Sequence, residues 1–257
     1  MIELSRRDLI CGLATGAVVP FASGCAVNPT TGRRQFTLVS DAQIAELSAT
    51  AWTDLRNSQP ISRDPNMNRQ LQRIGDSVTR AAGQGDQPWE FVVFDSDQVN
   101  AFVLPGGKVG FYRGLMELSE NDAQIATVMG HEVGHVTARH AAERYSQQVA
   151  AGVGLSVIQA GLERGDVRGR QQIAGILGAG VQFGLILPYS RAHELEADRL
   201  GVDYMARAGD DARHSLAFWT RMESLGGQSP PELLSTHPVA DTRIRELDAF
   251  IRQRGYA

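Results

Sequence analysis

Cysteine is scarce in this chain: Cys11 and Cys25 are the only two among 257 residues, and both lie at the N-terminal extreme. The body of the chain therefore has no disulfide framework, no thiol nucleophile and no cysteine-type zinc site. Lysine is scarcer still, with Lys108 standing alone beside arginines that are scattered and not clustered. With a net charge of −4 and a pI near 5.9, no basic stripe is available for nucleic acid, and none is expected as a partner. Internal repeats and low-complexity tracts are also missing. Long apolar runs are few. Leu9 to Ala22 is apolar and uncharged but shorter than the roughly 20 residues a bilayer span needs. Gln171 to Ser190 is uncharged throughout, yet its glycines, glutamines and Pro188 dilute it, so a core helix is expected there in preference to a span.

The beginning of the chain reads as a leader. Arg6 and Arg7 precede the Leu9–Ala22 run, which ends in Ala22-Ser23-Gly24-Cys25. Small residues before a cysteine are similar to the bacterial lipobox, in which that cysteine is acylated and becomes the new N-terminus. Ordinary cleavage or a retained anchor helix is the alternative. The arginine pair also fits a twin-arginine export signal. The expected organisation is a signal peptide at 1–24, a lipid-anchored tether at 25–40 and one domain at 41–257. Processing would remove two bases and two acids and leave the charge at −4. That length is enough to bury a single core.

Within the domain, apolar spacing predicts helices over 41–58 and 66–82. Short β-rich runs follow at Trp89–Phe94, Val99–Leu104 and Lys108–Tyr112, with Pro105-Gly106-Gly107 as a turn between the last two. Ser119 with Asp122 reads as a capping box opening a helix to about Gln148. Helices are expected at 149–162, 171–187, 190–208, 211–225 and 238–253.

One segment carries chemistry. His131-Glu132-Val133-Gly134-His135 places two imidazoles at i and i+4, on one face of a helix. Two neutral imidazoles and a carboxylate suit zinc, with a fourth position left for water. Glu132, beside the first histidine, can take that water's proton. A surface helix with two solvated histidines is the alternative, but the motif interrupts an apolar face of Ile125, Val128 and Met129. Arg191-Ala192-His193-Glu194-Leu195-Glu196-Ala197-Asp198 offers what is missing. Glu194 can supply the third ligand, and Asp198, on the same face, can hold a ligand histidine by its other ring nitrogen. Read alone, that run would be an ordinary charged helix face. His140, five residues past His135, is placed on the surface, and His193 and His214 are given no role.

HEVGH at 131–135 with SRAHELEAD at 190–198 resembles the gluzincin peptidases that include HtpX and the CAAX prenyl endopeptidase. Asn28-Pro29, Thr31 to Gln35, Asn100-Ala101-Phe102, Pro105-Gly106-Gly107 and Ser235-Thr236-His237-Pro238 extend the resemblance to the lipoprotein and periplasmic branch of that family, exemplified by BepA and LoiP. It covers about residues 25–250. The resemblance implies a mainly helical α+β zincin, a small sheet packed on the motif helix, and one zinc ion held by His131, His135 and Glu194 with Glu132 as base. It further implies an edge strand at Asn100, Ala101 and Phe102 that pairs with extended substrate, where a plain core strand is the alternative. His237 would be a regulatory fourth ligand or an oxyanion donor, or else a helix-cap histidine. Arg191 would pair with a carboxylate or contact substrate.

Two departures stand out. The transmembrane helices of HtpX-type relatives are not evident, and no repeat-type partner-binding tail is seen. The function so implied is endoproteolysis of misfolded or unassembled envelope proteins, at the periplasmic face of a bacterial membrane, with the outer membrane favoured. The rivals are a zinc-stapled holdase for unfolded chains and a metal-dependent hydrolase acting on murein or lipid.

Overall fold

A computed structural model describes residues 25–148, 150, 189–225, 231–238 and 241–256. The expected leader lies outside the described residues, as does almost all of the two helices expected at 149–162 and 171–187. Among the described residues no helix is long and apolar enough to cross a membrane.

The chain opens with a two-stranded antiparallel hairpin, β1 (Cys25–Val27) and β2 (Arg34–Phe36), in which Ala26 faces Gln35. Two helices follow, α1 (Asp41–Ser58) and α2 (Pro65–Ala81). Both start on side-chain caps: Ser40 forms a reciprocal capping box with Gln43, and Asp64 accepts from Asn66 and Met67 ahead of a proline in the first turn.

The central sheet has three strands, β3 (Glu90–Phe94), β4 (Ala101–Leu104) and β5 (Lys108–Tyr112), in the order β3-β5-β4. β4 and β5 are antiparallel, joined where Gly106 and Gly107 both take positive φ, +88° and +76°. β3 joins β5 in parallel, so β4 is an edge. Period-two alternation gives each face its own partner. Val93, Ala101, Val103, Val109 and Phe111 enter the main core, whereas Val92, Phe94, Phe102, Leu104 and Tyr112 meet Trp52 and Leu55 of α1.

A short helix, α3 (Arg113–Leu118), leads to the motif helix α4 (Asp122–Thr137). The capping box read at Ser119 and Asp122 is not formed. The Ser119 hydroxyl donates to Leu115 O at 2.9 Å and so serves the end of α3, while Asn121 caps α4 by accepting from Gln124 N. Nor does α4 run unbroken to Gln148. It stops at Ala138 and Arg139, where Arg139 has φ +56°, and helical structure resumes at 140–148. That left-handed residue redirects the chain, with consequences for His140.

Among the described residues four further helices follow: α5 (Arg191–Ala208), α6 (Arg213–Ser224), α7 (Glu232–Thr236) and α8 (Asp241–Arg254). Ser190 caps α5, and Gly209, at φ +93°, ends it. Leu71, Ile74 and Val78 of α2, Val128, Met129 and Val133 of α4, Phe218, Trp219 and Met222 of α6, and Leu247 and Ile251 of α8 fill one core. The protein is an α+β fold, mainly helical, with its small sheet laid against the motif helix.

Candidate metal centre

Nearly every residue of α4 from Gln124 to Thr137 is buried, including His131, Glu132 and His135. The backbone of α4 lies directly on that of α5. A Cβ on Gly130 would come within 2.8 Å of Gly201 O, and one on Gly134 within 2.8 Å of Ala197 O. Ordinary side chains would hold the helices apart. Their absence lets Glu194, in the first turn of α5, reach the imidazoles of α4. His237 caps the C-terminal end of α7 and enters from the opposite side.

Four ligand-type atoms, one each from His131, His135, Glu194 and His237, lie within 4.8 Å of one another. His131 Nε2 is 3.1 Å from His135 Nε2 and 3.1 Å from His237 Nδ1. Glu194 Oε1 is 3.1 Å from His237 Nδ1 and 3.5 Å from His135 Nε2. A tetrahedral ion bound at roughly 2.0–2.1 Å requires donor separations of about 3.3–3.4 Å. The observed edges surround that value.

Hydrogen bonding among the four leaves polar atoms over. His131 Nδ1 is engaged by Asp198 Oδ1 at 2.9 Å, and His135 Nδ1 by His140 Nδ1 at 2.9 Å, so both Nε2 atoms are turned into the cluster. Glu132 Oε1 and Glu194 Oε2 are buried and accept no hydrogen bond, although His237 Nε2 is 3.3 Å from the first and Arg243 Nη1 is 3.0 Å from the second. Converging ring nitrogens and unsatisfied carboxylate oxygens fit a cation at their centre. The donor set of three imidazoles and one carboxylate is one a metal ion takes.

Electrostatics sort His131, His135, Glu194 and Glu132. Burial alone would lower His131, but Glu194 and Asp198 outweigh it and push it up to about 9. Burial and the neighbouring His131 hold His135 well below the ordinary imidazole value, hence neutral. Burial would raise Glu194, but His237 and His131 keep it well below the usual carboxylate range. Glu132 is raised, chiefly by burial, which makes it the better proton acceptor of the two.

Other residues named from the sequence fall into two groups. Ala101 and Phe102 stand on the edge strand, Asn100 lies just before its start, and all three line a hollow of about 120 Å³ with Glu132 and His237. A second hollow, of about 210 Å³, reaches His135 from the other side between Pro29, Val103 and Ala142. Tyr189 lines both and stacks on His135 with centroids 4.0 Å apart. Arg191, by contrast, is exposed in the first turn of α5, outside the buried centre.

Three residues had been passed over. His140 is fully buried and not on the surface, because the left-handed Arg139 folds the next helical turn beneath His135. His193, given no role, is also buried, stacked on His140 and 3.3 Å from Glu143. Arg243 of α8 lies across the back of the site. Its Nε and Nη2 donate to the two oxygens of Asp198, and its plane lies 4.2 Å from the Trp219 ring. One arginine among 24 carries no signal in a single sequence. His140 carried none either, because Ala138 and Arg139 are good helix formers and nothing local marks the break before it.

Relatives bear on what the site does. The chain is 30% identical over 247 residues to the beta-barrel assembly-enhancing protease of Escherichia coli K12, covering 93% of this chain and 50% of that one. It is 34% identical over 183 residues to the mitochondrial metalloendopeptidase OMA1 of Schizosaccharomyces pombe, covering 70% of this chain and 52% of the relative. A putative beta-barrel assembly-enhancing protease of Vibrio cholerae is 32% identical over 209 residues, with 77% and 42% covered. This chain spans about half the length of these relatives or less. Residues 65–251 match the profile described as peptidase family M48, a stretch that carries α4, Glu194 and His237 together, and the chain belongs to that family.

Proposed function

We propose that this chain is a zinc-dependent endopeptidase. The observation that carries the reading is the four-donor cluster beside Glu132: its edges, 3.1–3.5 Å, surround those of a tetrahedral ion. His131, His135 and Glu194 would hold the zinc. When bound, the ion polarises the scissile carbonyl and lowers the pKa of the attacking water.

The chain supplies the remaining steps. An extended peptide adds to the edge of β4 that no other described strand pairs with, Asn100 to Phe102 lying along its backbone and the two hollows flanking the cut bond. Glu132, fixed at the turn of the motif helix, accepts the water's proton and passes it to the leaving amine. His237 has Nδ1 at the fourth corner of the cluster and Nε2 3.3 Å from Glu132. In that pose it stands where substrate must enter, so the described conformation is a latent one. Swung outward, the same imidazole can donate to the developing oxyanion.

The substrate class we infer is misfolded or unassembled protein of the bacterial envelope. The likeness to proteases named for enhancing β-barrel assembly supports it. Acylation of Cys25 after export would tie the enzyme to the membrane surface, with the outer membrane favoured. A holdase that uses zinc only as a staple is the second reading, but a raised, buried glutamate with an unsatisfied oxygen serves no purpose in a closed structural site.

One experiment separates these readings: casein cleavage and zinc content for the parent, Glu132→Gln and His237→Ala. We expect zinc in all three, cleavage by the parent lost by at least a thousandfold in Glu132→Gln, and faster basal cleavage by His237→Ala. Casein cleavage surviving in Glu132→Gln would remove the base assignment. A parent without zinc would remove the ligand assignment. Slower cleavage by His237→Ala would refute latency and leave the oxyanion role.

A further inference from the structure

The hairpin β1–β2 is bonded to the site more closely than a tether would be. Asn28 Nδ2 donates to Thr137 O at the end of α4, and Asn28 Oδ1 accepts from Thr30 N and Thr31 N, which holds the turn. Gln35 Nε2 donates to Ala138 O and to Glu143 Oε2. Arg33 spans two carboxylates, donating through Nη1 and Nη2 to Glu143 and through Nε to Glu196. Glu196 Oε2 in turn lies 2.9 Å from His140 Nε2, and His140 Nδ1 lies 2.9 Å from His135 Nδ1.

The proton positions along this chain follow from its carboxylate end. An ionised carboxylate only accepts, so His140 must carry its proton on Nε2 to bond Glu196. Its Nδ1 is then a lone pair and can meet His135 only if His135 is protonated on Nδ1. That leaves the lone pair of His135 on Nε2, the nitrogen 3.1 Å from His131 Nε2 and 3.5 Å from Glu194 Oε1. His140 reversed would set its Nε2 lone pair against the ionised Glu196. Arg33 holds Glu196 ionised and in place, since guanidinium is always charged and its fork matches carboxylates.

We propose that Arg33, Glu196 and His140 are positioning residues that select which nitrogen of His135 faces the metal, so that the N-terminal hairpin is a working part of the centre. The inference rests on His135 being a ligand. It differs from the Asp198 contact to His131, because the selecting carboxylate acts through a second imidazole and is set by a segment more than 100 residues away in sequence.

Glutamine supplies the test. Its amide places an acceptor and a donor with about the spacing of the two imidazole nitrogens, so His140→Gln can keep the relay while His140→Leu cannot. Zinc affinity is measured by chelator competition on the full-length chain for the parent, His135→Ala, His140→Leu, His140→Gln, Arg33→Met and the Arg33→Met/His140→Leu double variant. The melting temperature of each metal-free form is recorded alongside. We expect His140→Leu to weaken zinc 10–100-fold, His140→Gln to stay within a few-fold of the parent, and Arg33→Met to lose about tenfold. The double variant should be no weaker than His140→Leu, because both act through one chain. Affinity in His140→Leu within twofold of the parent overturns the proposal. So do multiplying losses in the double variant, or zinc losses that only track the metal-free melting temperatures. A parent that binds no zinc, or a His135→Ala variant that binds as well as the parent, instead removes the ligand assignment beneath it.

Discussion

Arg243 shows how much of the centre depends on a side chain that takes no part in the chemistry. Asp198 and Glu194 are both almost fully buried, and this one guanidinium faces them both, with Nη1 also donating to the carbonyl of Pro238 beside His237. Burial would raise Asp198; Arg243 outweighs that and keeps the carboxyl below its ordinary value. Arg243→Met would strand two buried carboxylates. A loss of about 3–5 kcal/mol in stability is expected, read as a lower melting temperature with weakened zinc retention. Arg243→Lys should recover little, since a point charge cannot fork across Asp198 and reach Glu194. Full stability in Arg243→Met would mean that the fold does not need this cation. At this scale the sequence was clearest where chemistry forces residue types into fixed spacing, as in His131 to His135 and in Glu194 with Asp198. Arg243 and His140 act through contacts between distant segments, 45 and 56 residues from Asp198 and Glu196 respectively. No local pattern carries such pairings.

Among the elements, the crossing of α4 and α5 decides whether a centre exists. Gly130 and Gly134 face Gly201 and Ala197 with backbone in contact. A Cβ at Gly201 would fall 2.8 Å from Gly130 C and from His131 N, neither of which is the flexible end of a side chain. Gly201→Ala must therefore push the helices apart. It gains helix propensity, worth up to about 1 kcal/mol, but overpacking costs about 1–3 kcal/mol, and Glu194 withdraws from the imidazoles. We expect a modest fall in melting temperature with a disproportionate loss of bound zinc. Unchanged zinc content would show that the crossing tolerates the spread. Periodicity found both helices and both ends of α5, since capping and apolar spacing are local, but it misplaced the cap of α4 and overran its end. It could not find the crossing, because glycine in a helix reads as a weakness until the second helix is in view. The break at Arg139 escaped for a similar reason. The left-handed arginine goes with contacts from distant segments, among them Arg139 Nε donating to Asp41 Oδ1 and Ser146 accepting from Leu38 N.

For the molecule as a whole, the N-terminal segment matters most. Residues 25–40 read as a tether from their turn-rich composition, yet the described structure folds them onto the domain from the first strand. Composition reports how polar a stretch is. It does not report that Asn28, Arg33 and Gln35 each have a buried partner waiting. Cys25→Ser tests the proposed leader and lipid: the parent should fractionate with membranes and incorporate labelled fatty acid, and the variant should do neither. Membrane retention without label would point to the uncleaved leader as the anchor. The hairpin also sets how far the enzyme can roam. Sixteen unstructured residues would have let the catalytic centre wander an extra 22 Å or so from its point of attachment. With the leash folded in and an acyl chain on Cys25, the working radius would shrink to that of the domain itself, about 17 Å. An enzyme so anchored would patrol a thin layer above the lipid headgroups. A chain stalled at the bilayer surface would fall within its reach, and one that had diffused into the bulk would be out of range.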